Sequence, residues 1–323
     1  MDATDSNKQR YLATLRGEIP DRVPLHETIL NGRYLRHVLG ECDYEASHEM
    51  PPELQIPLLR RIGLDMASLG FYWRPTALNT WARLEEEVFP PLDGFLERVD
   101  RHLAALRGEP LGLLVYVHGP LDTTYLSMGY MEFFMSVNTD PALVEAVMDR
   151  FTAYHRQLIE ELVKRPIDVI QIVDDIAMKQ GTFLEPRQQR RLWLPRMEQL
   201  IEPIRKAGIP MQFHSDGNVE AFIEDVIAMG FSAINPIEPL CNDIREVKRR
   251  WGDRITLMGN LDIGGVLANG TPEQVEAEMR DLLRDLMPGG RYIAMSGSSI
   301  ADCVDPRNYD AMVRTVKRHG RYG

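Results

Sequence analysis

The stretch Met211-Gln212-Phe213-His214-Ser215-Asp216-Gly217-Asn218 decides how this chain is read. An apolar approach runs into a histidine, an acid and a glycine, and a helical pattern follows from Val219 with Asn218 in position to cap it. That is a strand-to-helix corner carrying its polar groups at the C-terminal end of the strand. Seven more corners of this kind would close a (β/α)8 barrel and turn His214 and Asp216 into a common mouth, the face on which such barrels bind and react.

Working outward, Val169-Ile-Gln-Ile-Val-Asp-Asp175 is an apolar run closed by two carboxylates, as expected of a strand covered on both faces of a parallel sheet. Downstream, Ala233-Ile-Asn-Pro-Ile-Glu238, residues 255–262 and residues 292–299 repeat the pattern, with helical stretches over 222–229, 245–251, 272–286 and 306–319. Upstream, 22–27, 65–72 and 113–118 read as strands, and 5–16, 51–62, 141–164 and 187–207 as helices, with shorter helices around 125–136. Residues 73–110 break the rhythm with Trp81, a Glu85-Glu86-Glu87 run and Pro90-Pro91. They read as an inserted hairpin-helix arm after the second strand, too short to build its own core. The expectation is an α/β fold, a single (β/α)8 TIM-type barrel domain over residues 1–323. An open doubly wound sheet is the alternative, but no GxGxxG follows the first strand and no GxxxxGK[ST] occurs, so neither a dinucleotide nor a P-loop nucleotide is expected.

With 44% hydrophobic and 26% charged residues in 323, the composition is that of an ordinary globular protein. A net charge of -11 argues against nucleic acid or an anionic membrane as partner and leaves a small molecule. The start MDATDSNKQR lacks the apolar core of a signal peptide, and no stretch approaches the roughly 20 apolar residues of a membrane span, so the reading is cytoplasmic. Cys42, Cys241 and Cys303 form no CxxC pair and are expected as free thiols.

On the barrel reading the strand ends bring Glu27, His118, Asp174, Asp175, His214, Asp216, Glu238, Asn260, Asp262, Ser296 and Ser299 to one face. Carboxylates with imidazoles suit metal binding or proton transfer, while Asp and Asn at strand ends also cap helices and fix turns. His214 and Asp216 lie two apart and share a side of the strand, which permits a shared ligand or proton. Asp174 and Asp175 are consecutive, so alternation turns only one of them inward until the backbone bends; one functional acid and one structural cap are expected.

The blocks Asp174-Asp-x-x-x-x-Gln-Gly181 with Glu185-Pro186, His214-Ser-Asp-Gly-Asn218, Ile234-Asn-Pro236, Met258-Gly-Asn-Leu-Asp262, Pro288-Gly-Gly290 and Pro306-Arg-Asn308 resemble, in order and spacing, those of the uroporphyrinogen decarboxylase superfamily. The superfamily contains porphyrinogen decarboxylases and zinc-dependent methyltransferases that take a methyl group from a corrinoid. The resemblance implies a barrel enzyme with catalytic positions at Asp174, Asp175, His214 and His118, and substrate contacts at Arg33, Glu27, Tyr72, Asn260, Asp262 and Ser298. Three departures bear on the reaction. Of the early Arg-Gln-Ala-Gly-Arg block only Arg33 remains, Tyr72 stands where the decarboxylases carry an aspartate, and Gly297-Ser298-Ser299 replaces Gly-His-Gly. A flat tetrapyrrole with many carboxylates needs fixed cationic partners, so these departures point away from uroporphyrinogen. The methyltransferase branch holds zinc with His-x-Cys and a later Cys. Here His214 is kept, Asp216 replaces the first Cys, Ser299 stands at the later one, and Cys303 lies four residues on. The expectation is a zinc-dependent methyltransferase served by a corrinoid protein or a small methyl donor. Decarboxylation of a carboxylate substrate, or a non-catalytic binding barrel, are the alternatives.

Overall fold

The computed structural model describes residues 6–323. Seven parallel strands form one sheet in the order β1 (Met66–Gly70), β2 (Gly112–His118), β3 (Val169–Val173), β6 (Met211–His214), β7 (Ala233–Asn235), β8 (Thr256–Leu261) and β9 (Tyr292–Ser296). A separate antiparallel pair, β4 (Ala177–Met178) and β5 (Gly181–Thr182), follows β3. The strands are buried almost throughout because helices cover their outer face and side chains fill the interior. Alternation sorts the residues. Leu113, Val115, Val117, Ile170, Ile172, Phe213 and Ile234 belong to the layer under the helices, whereas Met66, Leu114, Tyr116, Val169, Ala233, Met258, Ile293 and Met295 pack inside. Gly70 is required here, since a Cβ would lie 1.9 Å from the Tyr116 ring.

The eighth position is a seam. Leu25 makes a single parallel bridge to Ala294, with His26 N donating to Ala294 O at 3.1 Å and Ala294 N to Pro24 O at 2.9 Å, while Asp65 N donates to Leu25 O at 3.1 Å on the other side. The expected first strand is thus reduced to a short bridging segment, because Pro24 has no N–H to extend the ladder. Helix Lys8–Arg16 closes the opposite end of the barrel: its Lys8 reaches Asp168 just before β3, and its Thr14 carbonyl accepts from Thr256 at the start of β8. Asp5, expected within that helix, lies outside the described residues.

Most expected helices occur within a residue or two of their expected bounds, and Pro272–Leu286 and Pro306–His319 do so to the residue. Three expectations change. The arm after β1 contains two helices, Trp81–Glu86 and Asp93–Ala105, and no strand; Thr80 caps the first, Pro90-Pro91 separates them, and Arg150 ties the junction down through the Leu84 and Glu87 carbonyls. The hairpin lies after β3 instead. Asn218 caps no helix starting at Val219, because Asn242 takes the Val219 N–H and the Gly217 carbonyl; a 3-10 turn intervenes and the helix is Ile223–Ala228. Helix Gly32–Leu39 was not expected. No described helix is long and apolar enough to cross a membrane.

Candidate active site

The interior of the barrel is crossed by one line of polar side chains. Tyr11 on the closing helix donates to Gln212 Oε1 at 2.5 Å, Gln212 Nε2 donates to Gln171 Oε1 at 2.8 Å, and Asn235 Nδ2 donates to the same oxygen at 3.0 Å. Asn235 must therefore present Oδ1 to His214 Nδ1, 2.8 Å away. An acceptor at that point requires Nδ1 to carry the proton, which leaves the lone pair of His214 on Nε2.

That nitrogen faces two carboxylates. Asp175 Oδ1 lies 4.0 Å and Asp216 Oδ1 3.9 Å from it, too far for hydrogen bonds and close enough to converge on one cation. All three ligand atoms fall within 4.8 Å of one another. The backbone N–H of Asp216 holds Asp175 Oδ1 at 2.8 Å, while Asp216 Oδ1 is buried without a hydrogen-bond partner. Burial and the neighbouring Asp216 charge push the Asp175 carboxyl up, against the opposing pull of His214, to about 6. A buried carboxylate oxygen with no donor is costly unless a cation takes it. One imidazole nitrogen and two carboxylates form a donor set acceptable to zinc, and harder than a Cys-containing one.

Asp174 turns the other way. Fully buried, it accepts from Leu121 N at 3.0 Å, Asp122 N at 2.7 Å and Trp193 Nε1 at 2.7 Å, and so caps helix Pro120–Met128. A Cβ at Gly119 would collide with it at 2.3 Å. At the end of β2, His118 Nδ1 meets Asp122 Oδ2 at 2.6 Å. Burial pushes the imidazole down, but the Asp122 charge and hydrogen bond, with help from Asp175, outweigh it and the group lies above its ordinary value. Tyr72 flanks His118 with ring centres 5.5 Å apart, its hydroxyl on Tyr116 at 2.6 Å.

The remaining sequence candidates are spread around the rim. Glu27 is buried against Ser296, accepting from its hydroxyl at 2.7 Å and its N–H at 3.2 Å, and burial pushes its carboxyl up to about 8. Asn260 donates to Ile237 O and borders an open depression of about 550 Å³ with Cys241 and Arg245. Asp262 accepts from Gly264 N, and Ser298 N donates to Ser296 Oγ at 3.4 Å. Arg33 is exposed and held by Asp302, through the carboxylate and the carbonyl. Ser299 offers its carbonyl to Ala301 N. Cys303 is exposed and stands outside the ligand cluster; its place beside His214 and Asp216 is taken by Asp175. The later-Cys position lies on the loop after β9, and β3 is the strand hydrogen-bonded to β6. Sequence reading missed Asn235, Gln171, Gln212 and Asp122. The first three are polar residues at inward positions of apolar strands, a signal that alternation alone carries.

The fold and site together define a parallel α/β barrel with a histidine and two carboxylates able to hold a metal ion at the C-terminal ends of its strands. The chain belongs to the uroporphyrinogen decarboxylase (URO-D) family, whose model matches residues 72–319, more than half of it. It is 23% identical over 356 residues to the uroporphyrinogen decarboxylase of Enterobacter sp. (strain 638), covering 98% of each chain. With that of Pseudoalteromonas translucida it is 24% identical over 221 residues, 66% of this chain and 58% of the other. In structure it is similar to a methyltransferase from Methanosarcina mazei, with a TM-score of 0.72 at 20% identity over 96% of this chain and 98% of that one, a likeness of fold.

Proposed function

We propose that this protein is a metal-dependent methyltransferase, with Asp175, His214 and Asp216 as ligands of a zinc ion and a corrinoid protein or a small molecule as methyl donor. The observation that carries this reading is the buried, unpartnered Asp216 Oδ1 directed at the His214 lone pair. When bound, such an ion lowers the pKa of an acceptor thiol or hydroxyl so that its anion attacks the methyl group. The chain's own residues do the rest. Asn235 fixes the imidazole, the Asp216 N–H fixes Asp175, and the Asp122-held His118 is placed on the neighbouring strand to move a proton. Asp174 and Glu27 supply structure around the site.

One observation favours the second reading, decarboxylation: His118, paired with Asp122 and above its ordinary value, would serve as proton donor to a carbanion without any metal. Metal analysis separates the two. Protein purified without chelator should contain about one zinc per chain, and Asp216→Ala or His214→Ala should each remove most of it. If the wild type is metal-free after growth with added zinc, and does not take the ion up, the methyl-transfer reading falls.

A further inference from the structure

Beside the ligand cluster a cavity of about 280 Å³ opens at the ends of β1 and β2, lined by Tyr72, Trp73, Arg74, His118 and Thr123. Neither the proposed metal chemistry nor the fold accounts for it. Its polar groups are of two kinds. Thr123 is used internally, its hydroxyl donating to Gly119 O at 2.6 Å and touching Asp122 at 3.0 Å, and the Tyr72 hydroxyl is used by Tyr116. Arg74 has no hydrogen-bond or ion-pair partner among the described residues, although most arginines of this chain are paired. His118 commits Nδ1 to Asp122 and leaves Nε2 over.

We propose that this cavity binds the carboxylate of a small single-ring acid, with Arg74 and His118 Nε2 as anion anchors and the rings of Tyr72 and Trp73 as walls. A guanidinium donates two parallel hydrogen bonds to a carboxylate, and an imidazole backed by an aspartate keeps a proton available on its far nitrogen. The walls are rigid. Tyr72 is fixed by its bond to Tyr116, and Trp73 packs on Phe89 and Tyr154 at ring-centre distances of 4.8 and 5.6 Å. At about 30 Å³ per water molecule, the volume equals roughly nine waters. That accommodates one ring with one acid group and excludes a four-ring macrocycle. His118 pairs in register with Val173, two residues before Asp175, so a ligand held there lies next to the candidate metal ligands. The inference rests on the methyl-transfer reading only for the chemistry at the ligand's other end.

The test uses benzoate and its neutral isostere benzamide, observed by ligand-detected NMR and calorimetry on the full chain. Benzoate should bind the wild type, and benzamide should bind about tenfold to a hundredfold more weakly, as expected for loss of charge-assisted hydrogen bonds. Arg74→Met should abolish that preference and Arg74→Lys retain part of it, both with unchanged zinc content and circular dichroism. Asp216→Ala should lose zinc yet keep benzoate binding, which also shows that the carboxylate is not on the metal. Equal binding of benzoate and benzamide, no benzoate binding by wild type, or full benzoate binding by Arg74→Met overturns the subsite whatever the metal result. Inorganic phosphate binding as tightly as benzoate overturns the aromatic part of the assignment. Zinc retained by Asp216→Ala alongside the expected Arg74 results overturns the metal reading and leaves the subsite standing.

Discussion

At the scale of single residues, the imidazole of His214 is useful only in one tautomer, and Asn235 is what selects it. Asn235→Ala removes the acceptor for Nδ1–H and should weaken zinc binding about tenfold to a hundredfold, the usual cost of losing the partner behind a ligating histidine. Competition with a chromophoric chelator measures this, and an unchanged zinc affinity would show that Nε2 needs no such support. Much at this scale was legible in sequence. His214 and Asp216 lie at a strand end two residues apart, and alternation alone aims both inward. The division of labour between Asp174 and Asp175 was legible only as an expectation that they differ. Which of them capped a helix depended on where Leu121, Asp122 and Trp193 arrive in space. Asn235 was hidden within Ile234-Asn-Pro236, where it read as part of a turn.

At the scale of elements, helix Pro120–Met128 has its N-terminus built around a carboxylate from another strand rather than its own cap residue. Asp174→Ala would strand two backbone N–H groups and the Trp193 indole in a dry interior, and should cost about 3 kcal/mol or more. Urea unfolding gives the answer; a loss below about 1 kcal/mol would mean that water replaces the carboxylate. The helices that matched expectation to the residue carry local signals. Thr271 makes a capping box with Gln274 ahead of Pro272, and Asp305 accepts from Arg307 N ahead of Pro306. The elements that did not match lack such local signals. The arm at 73–110 was expected to hold a hairpin, yet its shape is set by Arg150 reaching in from a distant helix.

At the scale of the whole molecule, the barrel closes through its weakest seam, the Leu25–Ala294 bridge and the Glu27–Ser296 hydrogen bonds. Burial holds the Glu27 carboxyl protonated up to about pH 8, whereas an unfolded glutamate releases its proton near the ordinary value of 4.5. The unfolded chain thus holds fewer protons in this window, so the stability contributed by Glu27 is complete below about pH 4.5 and is lost as the pH rises through about 8. Glu27→Gln, which can still accept from the Ser296 N–H, should lack this loss. The gap between the wild type and the variant, followed by urea unfolding from pH 5 to 9, should open in the variant's favour by an amount on the order of 1 to 4 kcal/mol; parallel profiles would remove Glu27 from the seam's energetics. The eightfold rhythm of the sequence made the barrel legible, but the seam was not, since Arg22–Glu27 carries the same apolar alternation as a full strand and only Pro24 marks the break. The polar line from Tyr11 through Gln212, Gln171 and Asn235 to His214 has a practical consequence for anyone engineering this protein. A selection for altered metal preference will return substitutions on the barrel's floor as well as around its rim, and constructs trimmed or fused within helix Lys8–Arg16 will change the ligand they were meant to leave alone.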